Sequence, residues 1–307
     1  MFRVIGAGTQ PIDWRSAFFN LSKGLKVFIS QNTLFKTRPM VGLVHALVAW
    51  GFTLYLVVNI VDVLYGFIPG FYFFPDHIIG KFYRVFVDFF TVMVLFGVIY
   101  FLIRRFIIND NRLTIDEPVM LNPEAEKGMR RDSLIVGFFI LFHVGARFLS
   151  ASFEIAKNTA DSFQPAATLV SLLWSNLSDD SIIFYEHITW WIALGLILGF
   201  LPYFPYSKHA HLFMGPLNFM VSKDRKSMAS IETIDFEDDS IEQFGAGQLQ
   251  HLPQKQLLDA YACIQCSRCQ DACPAYETGK ELSPSALEIN KRYFLNTHLD
   301  EFIDGSI

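Results

Sequence analysis

The protein has 307 residues, of which 52% are hydrophobic, 16% aromatic and 18% charged, and phenylalanine alone occurs 32 times. An average soluble domain carries about 25% charge, so this composition excludes disordered, collagen-like and disulfide-rich secreted chains and is too apolar for an ordinary soluble fold. Residues 1–220 hold 17 Lys+Arg and 15 Asp+Glu, net +2, whereas residues 221–307 hold 8 and 15, net −7, together with all four cysteines. The first part is composed like a membrane protein and the second like a soluble acidic domain.

Residues 1–40 contain six Lys/Arg and no apolar run with a cleavage site, and they read as a cytoplasmic amphipathic segment rather than a signal peptide. A span needs about 20 mostly apolar residues. Four stretches meet this: Val41 to Ile60, continuing past Asn59 and Asp62 toward Phe67; Phe82 to Ile103; Leu134 to Ala151; and Ile182 to Phe204. Pro165–Leu177 is too short to cross and reads as a helix lying at the interface. Arg104–Arg131 carries six further Lys/Arg while the alternate loops are poor in them. The positive-inside rule then places both chain ends in the cytoplasm of a multi-pass inner-membrane protein. Closely spaced thiols agree with a reducing compartment.

Ionisable side chains at membrane depth mark cofactors or relays. His45 lies early in the first span, His143 within the third, and His187 near the start of the fourth, with His209 and His211 at its end. Neutral imidazole is a common axial ligand of haem iron, and facing helices of a bundle can supply a pair. The depths suggest an inner pair, His45 with His211 or His209, and an outer pair, His143 with His187. On a continuous helix at about 100° per residue, His187 and His209 share a face to within about 40°, although Pro202 and Pro205 intervene. Arg147, one turn beyond His143, needs an anionic partner, for which a haem propionate or Glu154 is available. No Cys-x-x-Cys-His occurs, so any haem is b-type, one or two in number.

The run Cys263-Ile-Gln-Cys266-Ser-Arg-Cys269-Gln-Asp-Ala-Cys273-Pro274 has the bacterial ferredoxin spacing of a 4Fe-4S cluster. Structural zinc takes two separated pairs of ligands instead. In two-cluster ferredoxins the fourth cysteine of such a run serves the other cluster. Either one cluster takes all four thiolates, or further ligands lie outside this sequence; we expect the second. The expected architecture is an all-α membrane bundle of four transmembrane helices over 41–220, an acidic linker over 221–250, and a partial, ferredoxin-like 4Fe-4S domain over 251–307. The acidic second part argues against nucleic acid, and no Walker loop, metalloprotease helix or nucleophilic triad is readable, so no catalytic residue is named.

With these residues in place, 41–60 and 132–220 resemble the haem-bearing gamma subunit of respiratory nitrate reductase. Phe204-Pro-Tyr-Ser-Lys-His-Ala-His211 is similar to that family's end-of-helix haem motif, which implies His211 as the ligand, with His45 on the facing helix and His187 for a second haem. Ten residues beyond His45, where that family has a histidine, this sequence has Tyr55, and His143 is the available substitute. The fusion to Tyr261-Ala-Cys263 through Cys273-Pro-Ala and Thr278-Gly-Lys-Glu-Leu-Ser-Pro284 resembles the membrane-bound iron–sulfur oxidoreductases related to heterodisulfide reductase, including the electron-transfer flavoprotein:menaquinone oxidoreductases. That resemblance implies electron flow from a soluble donor such as an electron-transfer flavoprotein, through 4Fe-4S clusters and haem b, to a quinone. It also implies a second cysteine run and CCG domains, so the chain is expected to be an N-terminal part or a split subunit. A heterodisulfide- or sulfite-linked complex, and a non-catalytic anchor and relay, are the alternative readings.

Overall fold

The computed structural model describes residues 1–222, 235–238 and 244–306, so most of the expected acidic linker lies outside the described residues. In chain order the helices are α1 (Phe2–Gly6), α2 (Trp14–Phe19), α3 (Leu21–Ser30), α4 (Asn32–Thr37), α5 (Pro39–Phe67), α6 (Ile78–Phe106), α7 (Pro123–Lys157) and α8 (Pro165–Ser171). They continue with α9 (Asp179–Phe200), α10 (His211–Met220), α11 (Gln254–Ala262), α12 (Arg268–Asp271), α13 (Pro274–Glu277), α14 (Pro284–Thr297) and α15 (Leu299–Ile303). Among the described residues there is no strand, only an isolated bridge between Thr9 and Pro253. What stands at 254–303 is therefore a set of short helices, and the strands of a ferredoxin-like domain are not among them. The chain divides into two compact units, one of residues 31–109 and 133–203, the other of 1–30, 110–132 and 204–307.

The first unit holds four helices long and apolar enough to cross a membrane: α5, α6, α9 and the greater part of α7. Their starts follow local chemistry. Pro39 and Pro123 occupy first helical positions, where a missing N–H costs nothing, and Glu124 and Glu126 then meet the positive end of α7. Ser178 Oγ accepts the Ser181 N–H at 3.3 Å to cap α9, and Arg104 and Arg105 close α6 at its negative end. α5 and α6 approach closely at glycines, since a Cβ on Gly51 would lie 2.5 Å from Val94 Cγ2 and one on Gly97 2.4 Å from Val48 Cγ2. The outward faces carry exposed Phe86, Phe89, Phe96, Phe142, Trp191 and Leu198. Such a surface is a liability in water and needs no cover in hydrocarbon.

α5 continues through Asn59 and Asp62 to Phe67, as the sequence reading has it, but two bounds differ. α7 begins at Pro123, well before Leu134. α9 stops at Phe200; Pro202 and Pro205 follow, and the chain passes through 3-10 turns at Phe204–Tyr206 and Lys208–Ala210. The two prolines thus end the continuous helix on which His187 and His209 would have shared a face. The short apolar segment is α8, continued as a 3-10 turn over Leu172–Trp174, with Leu169, Leu172 and Leu173 exposed. Its first amides are fixed by Asp88 on α6, whose two carboxylate oxygens accept the Ala166 and Ala167 N–H groups at 2.8 and 2.9 Å.

The second unit is discontinuous in sequence. Its core joins Val4, Ile5 and Ile12 to Ala210 and Met214, and to Leu257, Leu258, Tyr261, Leu295 and Phe302. Each large apolar side chain buried this way contributes roughly 1.5–3 kcal/mol. The Thr9 N–H donates to the Leu252 carbonyl at 2.9 Å and the Gln254 N–H returns to the Thr9 carbonyl at 2.8 Å. The neighbouring Gly8 has no room for a side chain, because a Cβ there would lie 2.7 Å from the Leu252 oxygen. The segment read as a separate N-terminal element thus shares a core with the cysteine-bearing helices. Residues 110–132 join the same unit. Asn290 Oδ1 accepts the Asn122 N–H at 2.9 Å, Gln270 Nε2 donates to the Thr114 carbonyl at 3.1 Å, and Thr297 Oγ1 donates to Glu124 at 2.7 Å.

Candidate metal and cofactor sites

The cysteine loop starts where α11 ends. Cys263 leaves the helix with extended backbone, and Gln265 and Ser267 both take φ of 58°, in the left-handed region, to turn the chain between successive cysteines. Cys269 follows on α12, and Cys273 precedes α13, whose first residue is Pro274. The loop is braced from α14: Ser283 Oγ donates to Gln270 Oε1 at 2.6 Å and accepts the Ala286 N–H as the α14 cap. Cys263 itself packs against Ala125, Met129 and Ile289.

All four thiols are free of disulfides. Among the described residues no three His, Cys, Asp or Glu side chains are gathered closely enough to hold a metal. The local chemistry nevertheless suits a thiolate-bound, negatively charged group. The Gln265 N–H donates to Cys263 Sγ at 3.4 Å, the kind of bond that tunes iron–sulfur potentials. Burial pushes the Cys263 thiol up to about 11, with the Arg292 guanidinium acting in the opposite direction. Arg292 is 2% exposed, and its Nε and Nη1 are buried with no hydrogen-bond partner. Sequence reasoning passed over this residue. Its signal was there: it falls three residues after Ile289 and three before Leu295, inside the buried stripe of α14.

The histidines separate between the two units. His45, His143 and His187 belong to the bundle, and His209 and His211 to the other unit. His45 on α5 sits edge-on to Phe101, with ring centroids 6.5 Å apart. His211 directs Nδ1 to the Lys208 carbonyl at 2.8 Å, the kind of bond that fixes the tautomer and ring orientation of a ligating histidine. His209 is buried, and burial, then Lys208, hold its imidazole down at about 4, so it is neutral at pH 7.

His143 has the same ligand-like posture. Its Nδ1 lies 3.0 Å from the Ala193 carbonyl, its Nε2 is buried with no partner, and its ring stacks on Phe139 and meets the edge of Tyr55. The partner expected for it does not face it. His187 is exposed, while Ala193 on the same helix is buried, and six residues separate them by about 240° around α9. Beside His143 there is about 20 Å³ of space, enough for one water. Arg147 pairs with Asp62 of α5 at 3.2 Å, neither with Glu154 nor left open for a propionate. The bundle residues present do not fit an outer haem held by His143 and His187.

A larger opening of about 440 Å³ lies where α5 and α7 finish and α6 begins, lined by Asp62, Tyr65, Tyr83, Arg147 and Glu154. The Tyr83 hydroxyl is buried there with no partner, and the Tyr65 hydroxyl lies 3.4 Å from Glu154 Oε1. The nearby Arg84 is held by Asp161 at 2.8 Å and by the Pro75 carbonyl at 2.9 Å.

The chain is similar to two curated bacterial oxidoreductases. One, from Bacillus subtilis, is described as the probable iron-sulfur-binding oxidoreductase FadF and is 32% identical over 280 residues, covering 88% of this chain and 36% of that protein. The other, the EtfAB:quinone oxidoreductase of Syntrophomonas wolfei, is 29% identical over 273 residues, covering 86% of this chain and 35% of that protein. The chain thus spans about a third of the length of these relatives. No family model and no solved structure matches it.

Proposed function

We propose that this chain is the membrane-embedded, electron-carrying portion of an iron–sulfur oxidoreductase that moves electrons from a soluble flavoprotein donor toward a quinone. The observation that carries the reading is the Cys263–Cys273 loop, built on α11, α12 and α14 of a chain that also has four membrane-length helices. The two relatives, named for iron–sulfur binding and for quinone-linked oxidation of an electron-transfer flavoprotein, agree with it. A 4Fe-4S cluster supplies one-electron carriage when bound. Cys263, Cys266 and Cys269 provide three of its thiolates, Cys273 serves a second cluster, and the remaining ligands come from a second cysteine run elsewhere in a longer protein or its partner.

His45 in the bundle and His211 in the other unit are each proposed as b-haem ligands, His211 being favoured over His209 by its Nδ1 bond to a carbonyl. His143 presents a free Nε2 without a facing second ligand, so one haem is proposed rather than two. The opening lined by Tyr83 and Glu154 sets phenol and carboxyl groups beside apolar side chains, and a quinone head-group is its proposed occupant. The test is anaerobic reconstitution of the purified full chain. We expect bound iron and acid-labile sulfide, a b-type pyridine haemochrome near one per chain, and spectral changes on adding reduced flavoprotein or menaquinol. A preparation that takes up neither iron nor haem overturns the reading.

A further inference from the structure

Arg292 is the largest wholly buried side chain among the described residues, and nothing anionic in its surroundings pairs with it. Nη2 donates to the Tyr261 carbonyl at 2.6 Å, and the guanidinium carbon lies 6.0 Å from the centroid of the Tyr261 ring. Nε and Nη1 have no partner at all. The adjacent cation shows what a satisfied one looks like on the same helix. Lys291 is also buried, but Glu288 lies 2.9 Å from its Nζ and the Gln256 carbonyl accepts a second bond at 2.9 Å. A buried cation without an anion is among the most destabilising arrangements a fold can hold, so its persistence points to a counter-charge still to be supplied.

The place indicates which one. Tyr261 is two residues before Cys263, so the guanidinium sits over the end of α11 from which the cysteine loop departs. Ile289, one turn earlier on α14, belongs with Ala125 and Met129 to the apolar cluster against which Cys263 packs. The acidic side chains that the chain offers are not paired with Arg292, whereas the thiolates of the loop are close by in the chain. Four thiolates around an oxidised 4Fe-4S core carry a net charge of about −2, and one-electron reduction makes this about −3. A fixed cation therefore holds the cluster and favours its reduced form.

We propose that Arg292 is the counter-charge of the cluster bound at Cys263–Cys273, securing it and raising its reduction potential, with Nε and Nη1 as the donors reserved for it. This rests on the iron–sulfur reading of the cysteine loop. Arg292 is a positioning and tuning residue, since the electron itself is taken by the cluster from an external reductant, dithionite in the test below.

The experiment uses the full chain in detergent, loaded anaerobically with iron and sulfide, and titrated with dithionite while the reduced cluster is followed by EPR. Arg292→Gln keeps a donor for the Tyr261 carbonyl and removes the charge. It is expected to lower the midpoint potential and to lose iron to a chelator several-fold faster than wild type. Arg292→Lys keeps the charge and is expected to recover most of both. Cluster-free Arg292→Met is expected to unfold at the wild-type temperature or above it, because an uncompensated charge has gone. A loaded Arg292→Gln chain with the wild-type midpoint and iron retention overturns the proposal, as does a cluster-free Arg292→Met chain that unfolds at a markedly lower temperature. Wild type that binds no iron instead defeats the iron–sulfur reading itself, and a loaded wild type keeps the two failures apart.

Discussion

Arg147 of the bundle and Arg292 of the cysteine-bearing unit are buried cations treated in opposite ways. In the bundle Arg147 faces Asp62 and Arg84 faces Asp161, while Asp88 spends both oxygens on the first amides of α8. These ionisable groups at membrane depth are matched within the chain, so they are explained by architecture before any cofactor is invoked. In the other unit Lys291 is matched by Glu288, yet Arg292 beside it is not. The difference teaches that an intramembrane charge is a weak pointer to function once its partner is found, and that a buried charge lacking one is a strong pointer to an absent group.

The comparison can be broken most decisively at the thiols. Cys266→Ser or Cys269→Ser should reduce bound iron and sulfide to background while helical circular dichroism persists; iron bound at the wild-type level in both variants would falsify the cluster assignment. Next in size is the bundle's own ion pair. Asp62→Asn strands Arg147 and should destabilise the bundle by about 3–5 kcal/mol, as read by unfolding in mixed micelles. The double variant Asp62→Asn with Arg147→Met should recover most of that loss. If it does not, the pair has a role beyond neutralisation. Asp88→Ala removes the acceptor for two amides and should cost about 1–3 kcal/mol, seen as faster hydrogen exchange at Ala166 and Ala167.

The smallest effect concerns pH. Burial raises the Glu288 carboxyl above its ordinary value, with Lys291 pulling the other way. The folded state therefore binds this proton more tightly than the unfolded state. Its contribution to stability is present below the unfolded value near 4.5 and is lost as pH rises through the shifted range. Glu288→Gln should flatten that part of the stability profile, and an unchanged slope would place the titration elsewhere.

Much of the bundle was legible because long apolar runs need only length and hydropathy to be found. Its details were not. The run of α5 through Asp62 was readable, but its partner Arg147, 85 residues away, was not, because no local pattern announces that pairing. α7 begins early because Ala125 and Met129 are buried with Ile289, on a stretch whose many charges conceal a packing face. His187 was read as facing inward, but α9 is apolar around its whole circumference, so hydropathy carries no phase by which to orient a histidine. At the candidate cluster the reverse held. The four cysteines are local and their spacing is specific, whereas Arg292 is brought beside their loop by tertiary packing and reads in sequence as one more cation on an amphipathic helix.

The discontinuity of the cysteine-bearing unit sets an order of assembly. Its core needs Val4 and Ile5 from before the four long helices, Ala210 from beyond the fourth, and Leu257, Tyr261 and Leu295 from later still. All four membrane-length helices leave the ribosome before Cys263 does. The unit is therefore completed only after those four helices have been made, when the segment preceding them meets the segments following them. For the same reason residues 251–307 should not be transplanted as a self-sufficient module, because the fragment leaves behind the partners that close its interior.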